Sequence, residues 1–313
     1  MPNAFIENPR LGYISIFLCC VANAVSFVFI AHLNQTHNEM LSIAMTFGYA
    51  IILFNLFNYK SLMSLYSNVS KNFKLTLRMN VITLFNWLSS FMALNYLDPA
   101  TAFCIILGVV AVTIFIVSTP RHKIKDNLHL AICVLLILVS MGLIINQYAH
   151  TALHSNVTTL TIGTLWCVLG GVTGAFIGTN SEKMGKAGFS ISQILATRFY
   201  LLVIVSSVAF FITAPNEPIA IDWKYYLLSS LVIVFFPLIM YQMAIKSLGT
   251  LIVSLLEPFT PVITYFLQVL LLGAYQFNLL TFSLLTIASG SIIWLAGVEQ
   301  NMARKNDRIT SSR

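Results

Sequence analysis

Charge is what this sequence has least of. Only 9% of its 313 residues are Asp, Glu, Lys or Arg, against about 25% in an ordinary soluble domain. That excludes a water-soluble globular protein, because there is too little charge to clothe a surface. Cysteine is sparse as well. Cys19, Cys20, Cys104, Cys133 and Cys167 all lie in apolar stretches, and no pair has metal-ligand spacing, so they read as buried apolar filler. The six histidines sit in loops or near the ends of apolar segments. There is no histidine-carboxylate metal motif, no nucleophile elbow and no phosphate-cradling glycine loop. These absences speak against an enzyme and against a chain that hydrolyses ATP itself, and no cofactor is expected.

What is present is apolar. Hydrophobic residues make up 58% of the chain and mean hydropathy is +0.85. Apolar stretches of roughly 20 residues, the length that crosses a bilayer, fall at 11–31, 40–58, 76–96, 99–118, 128–146, 159–180, 190–213, 224–245, 250–273 and 277–297. The expectation is an all-α polytopic membrane protein with ten transmembrane helices. The first stretch is too long for the apolar part of a signal peptide and lacks a small-residue cleavage site, so it reads as a permanent span.

Orientation follows from the basic residues. With the N-terminus in the cytoplasm, 16 of the 17 Lys and Arg fall on the inner side, and only Lys224 falls outside. Lys and Arg concentrate in cytoplasmic loops, so N- and C-termini are both expected to be cytoplasmic and the span number even. The net charge of +7 is then a topology signal. The expected partners are a small-molecule substrate and the lipid bilayer, with a homodimer left open and no nucleic acid.

The chain also hints at an internal repeat. Ala93-Leu-Asn-Tyr-Leu97 and Ala244-Ile-Lys-Ser-Leu248 each close one apolar segment and lead through a short turn into the next. Five spans followed by five would make the second half inverted relative to the first.

Residues 244–273, AIKSLGTLIVSLLEPFTPVITYFLQVLLLG, followed by TFSLLTIASGSIIWL, resemble the end of an EamA repeat of the drug/metabolite transporter superfamily. QILATRFYLLVI at 193–204 is similar to the arginine-bearing start of that repeat's second helix, with Arg198 in the arginine's place. The resemblance implies two inverted five-helix repeats, here residues 1–150 and 151–297, with a basic cytoplasmic tail at 298–313. It implies a secondary carrier of the inner membrane working by alternating access on an amino acid or amino-acid derivative. Uptake of S-adenosylmethionine or a similar cofactor is the competing cargo. A non-transporting membrane scaffold and a lipid-active membrane enzyme are the rivals from other classes. The first half departs from the pattern: Ile106 and Leu107 stand where the second half has Glu257 and Pro258, and Ala274 follows Gly273 where an acid is common.

Seven residues are candidates for substrate contact: Asn23, Asn86, Trp87, Trp166, Tyr241, Gln242 and Glu257. Glu257 is the one acid well inside an apolar segment, and such a group needs a partner, a proton or water. It could pair with a substrate amine or couple protons, or it could support the kink set by Pro258 and Pro261. Tyr241 and Gln242 are expected near it. Arg198 is the other deep charge, read as snorkelling to the inner interface, as a salt bridge with Glu182, or as an anion contact. Asn23 and Asn86 could equally be interhelical glue, and Trp87 and Trp166 packed core. Gly170, Gly174 and Gly178 recur every four residues and predict one close helix contact.

Overall fold

The computed structural model describes residues 9–118, 128–151, 157–214, 222–248, 253, 256–272, 278–291 and 293–294, and these are helical with no strand among them. In chain order the helices are α1 (Pro9–Thr36), α2 (Glu39–Phe57), α3 (Leu62–Lys71), α4 (Phe73–Ala93), α5 (Pro99–Ser118), α6 (Leu128–Thr151) and α7 (Val157–Lys186). They continue as α8 (Ile191–Thr197), α9 (Tyr200–Thr213), α10 (Trp223–Ser229), α11 (Phe236–Leu248), α12 (Thr260–Leu271) and α13 (Leu279–Ser291). Among the described residues, five stretches are long and apolar enough to cross a membrane: Arg10–Thr36, Glu39–Phe57, Val157–Lys186, Ile191–Thr213 and Trp223–Ala244. Shorter apolar helices cover Pro99–Ile114, Val134–Asn146 and Leu279–Ser291. The protein is membrane-embedded.

The outer surface carries the same message. On α9, Ile204, Val208 and Phe211 are more than half exposed, and on α6 so is Leu135, with Leu138 and Val139 close to half. These positions recur at three- and four-residue spacing, one helix face at a time. A stripe of bare branched and aromatic side chains is unfavourable in water and is what hydrocarbon solvates. Ser, Thr and Asn point the other way: Ser26, Ser42, Thr46, Thr83, Ser89, Ser206 and Thr264 are buried between helices.

Three helix interruptions shape the interior, each with a local cause. The segment expected at 190–213 is broken at Arg198 and Phe199, which separate α8 from α9. Asn80 on α4 bridges the break. Its Nδ2 donates to the Thr197 carbonyl at 2.7 Å and its Oδ1 accepts from the Leu201 N–H at 3.2 Å. Groups released by the break thus find partners on a neighbouring helix, as hydrocarbon requires. Between α10 and α11 the chain runs as a π-helix at Ser230–Phe235. Pro237, two residues past its end, cannot donate to the Ile233 carbonyl, which favours a widened turn there. Ser26 on α1 donates to the Val232 carbonyl of that turn at 2.9 Å. The third is Glu257–Phe259, a 3-10 turn leading into α12, with Pro258 and Pro261 at the starts of the two elements.

Packing is densest where α7 lies against α4 and α5, and where α1 lies against α11. Gly171 makes the α5–α7 contact close. A Cβ there would sit 2.7 Å from the Ile106 carbonyl oxygen and 2.5 Å from the Val109 Cβ. Gly170 and Gly174 meet both neighbours, Ser89 and Asn86 on α4 and Ile106 and Val110 on α5, and Gly178 has nothing within 4 Å. The expected four-residue glycine face therefore ends at Gly174, and the tightest approach uses Gly171, one residue off that face. The turn at 94–98 matches the expected short link. Asp98 Oδ1 accepts from the N–H groups of Ala100 and Thr101, while Gln268 on α12 accepts from Ala100.

Candidate functional site

Arg198 is 2% exposed, which corrects the snorkelling expectation: the guanidinium turns into the protein. The reason is the helix break, which places residue 198 at the C-terminal cap of α8 with its neighbours Thr197 and Phe199 also buried. No ion pair or hydrogen bond to the guanidinium is found among the described residues, and Nε is buried without an acceptor. The side chain of Glu182, the expected salt-bridge partner, lies outside the described residues. What Arg198 does meet is aromatic. Its Cζ lies 5.0 Å from the centre of the Phe199 ring, a cation–π distance.

An aromatic row continues from there. Phe199 is 5.1 Å from Phe47 on α2, and Phe47 is 4.9 Å edge-on from Trp87 on α4. Trp87 Nε1 is buried and makes no hydrogen bond. Trp87, picked from the sequence as a mid-segment indole, and Arg198, picked as a deep charge, thus stand at the two ends of one stack. The link was not legible in the sequence, because Phe47 and Phe199 look like any other apolar position.

The second group is centred on Glu257. Tyr241 on α11 lies within electrostatic reach of Glu257, Cys19 and Arg198. Cys19 on α1 is likewise within reach of Glu257, and Asn23 donates to Cys19 Sγ at 3.5 Å. The Cys20 thiol donates to the Leu256 carbonyl at 3.6 Å. Three of the expected residues, Asn23, Tyr241 and Glu257, therefore gather where α1, α11 and the 3-10 turn converge. Gln242 is next in sequence to Tyr241 and is 5% exposed; no contact to Glu257 is seen. Tyr241 is thus within electrostatic reach of both Arg198 and Glu257.

The remaining candidates are accounted for by packing. Asn86 donates to the Gly170 carbonyl at 2.9 Å, an interhelical bond between α4 and α7. Trp166 packs at the edge of the main apolar cluster. Reading by residue type missed Asn80, which holds the break that buries Arg198, and treated Cys19 and Cys20 as filler although both border Glu257. Their signal was faint: an amide one segment away, and two thiols at the level of an acid. No group of three His, Cys, Asp or Glu suited to a metal ion occurs among the described residues.

The fold and these groups define a class: a helical membrane protein with a buried cation that has no ion-pair partner among the described residues, and a buried acid, each at an interrupted helix. No family model matches the chain, and no curated protein matches it by sequence. A solved crystal structure of another protein is similar, with a TM-score of 0.62 at 14% identity, over 96% of this chain and 98% of that one. Identity so low shows a shared fold along nearly the whole of both chains, and no more.

Proposed function

We propose that this protein is a secondary transporter of the inner membrane that moves a small metabolite, first of all an amino acid or amino-acid derivative, by alternating access. The observation that carries the reading is Arg198. A guanidinium removed from water with no counter-charge among the described residues costs several kcal/mol, and such a group is suited to an anion that arrives to share the site. The helix break supports the same reading, since carriers place interrupted helices at the substrate site.

Arg198 would take the substrate carboxylate and Glu257 its ammonium, with Tyr241 between them. Phe199, Phe47 and Trp87 would form the apolar wall beside the cation. Glu257 is also the group suited to carry a coupling proton, and because Ile106 stands at the matching place in the first half, binding or coupling there is one-sided. The resemblance of 193–204 and 244–273 to EamA repeats supports two inverted five-helix halves rocking about this zone, with both termini cytoplasmic.

The test is counter-flow in proteoliposomes with a labelled panel of amino acids, nucleosides and S-adenosylmethionine. Saturable exchange of a zwitterion, lost on Arg198→Gln, is the expected result. A protein that moves nothing in the panel would favour the scaffold reading, and S-adenosylmethionine as the sole cargo would replace the amino acid.

A further inference from the structure

A second site lies away from the Arg198–Glu257 zone, on the outer face of the helix break. Between α3, α4 and α9 there is a groove of about 380 Å³, lined by Tyr66, Phe73, Leu77, Asn80, Leu201 and Ile204 among others. Its accessible wall is almost entirely carbon. Phe73, Leu77, Tyr66 and Ile204 are 60%, 45%, 47% and 59% exposed, so the groove opens sideways toward lipid.

Two features distinguish it from an ordinary crevice between helices. The first is its frame. The Tyr66 and Tyr200 hydroxyls are bonded at 2.8 Å, and Tyr66 donates to Asn55 Oδ1 at 3.1 Å. That ties the short helix α3 to α2 and α9 and fixes one wall. The other wall is α4, whose lining residues Phe73, Thr76, Leu77 and Asn80 share one helix face and span about 10 Å at 1.5 Å per residue. The second feature is a set of basic residues beside the groove. Lys71 closes α3, and Lys74 and Arg78 each follow a lining residue on α4; all three are exposed. None of the lining residues is itself charged, and Lys71 and Lys74 adjoin Phe73, at the shallow end.

We propose that this groove holds an acyl chain of an anionic phospholipid whose phosphate rests against Lys71, Lys74 and Arg78. The carbon wall accepts the chain, and the basic end, at the level where Phe73 begins α4, meets the headgroup. Arg78 sits one turn deeper and its long stem reaches back toward the interface. Asn80 forms the groove floor while holding Thr197 and Leu201, so the lipid stands directly behind the break that buries Arg198. The inference rests on membrane embedding and is independent of whether the protein transports anything.

The experiment is native mass spectrometry of the purified protein titrated at low salt with short-chain phosphatidylglycerol and phosphatidylcholine, with inorganic phosphate as a third probe. Phosphatidylglycerol should bind on the order of tenfold more tightly than phosphatidylcholine. Lys74→Ser with Arg78→Ser should bring the two lipids level. Ile204→Trp and Leu77→Trp, both at bare positions that tolerate bulk, should weaken both lipids several-fold while the lipid-free melting temperature stays the same. Equal affinity for the two lipids, an unchanged preference in the Lys74/Arg78 variant, or no effect of either groove-filling tryptophan would overturn the proposal. So would inorganic phosphate competing as well as the whole lipid, which would reduce the site to a surface anion contact.

Discussion

Gly171→Ala tests the packing of α5 against α7 with a single methyl group. Its Cβ would lie 2.5 Å from Val109 Cβ, 2.7 Å from Val109 Cγ1 and 2.7 Å from the Ile106 carbonyl oxygen. Ordinary carbon contacts begin near ~3.5 Å, so the helices must separate by most of an ångström. The oxygen belongs to backbone and cannot rotate away. Overpacking of this kind costs about 1–3 kcal/mol, and alanine's better helix propensity returns about 1 kcal/mol. The net expectation is a destabilisation of up to about 2 kcal/mol, or a fall in melting temperature of up to roughly 6 °C for a chain of this size. Gly178→Ala, in the same helix but with nothing within 4 Å, receives the propensity gain alone and should melt at the same temperature or slightly higher. The assay is thermal unfolding in detergent, followed by tryptophan fluorescence. If the two variants melt together, or if Gly171→Ala is the more stable, the close approach described here is wrong.

Asn80→Ala removes two bonds to backbone groups at the break and should cost about 2 kcal/mol, with loss of transport exceeding loss of fold; an unchanged melting temperature would show that the break is held otherwise. Arg198→Lys keeps the charge but not the planar fork, so cargo affinity should drop about tenfold or more in counter-flow, while equal affinity would remove Arg198 from the binding site. Glu257→Gln should abolish pH-driven accumulation and spare exchange, and accumulation that survives would exclude coupling through that acid. A reporter fused after Arg313 should read as cytoplasmic, and an external signal would overturn the orientation drawn from the basic residues.

Several features were legible because they are properties of stretches. Low charge and long apolar runs force membrane embedding, since no arrangement of this composition covers itself with polar surface. The start of α2 one residue from its expected position, and of α5 at Pro99 as expected, follow from Asn38 and Asp98, which cap those helices. The short helix α3 was hidden, because its ten residues carry Ser64, Ser67 and Asn68 and lack the length of a membrane segment. Tertiary contact made it one wall of a groove.

The sequence by itself determined that this is a helical membrane protein and which few charges lie deep in it, because hydropathy and charge are summed locally and need no partner to be read. It marked Arg198, Glu257 and Trp87 as unusual for the same reason. Only the tertiary structure decided what surrounds them. Arg198 is buried because Asn80, 118 positions away in sequence, accepts and donates at a helix break. Asn86 is spent on Gly170 while its neighbour Trp87 joins the stack leading to Arg198. Such roles depend on which helix lies alongside, a long-range choice fixed by packing shape and by the demand that every buried polar group find a partner.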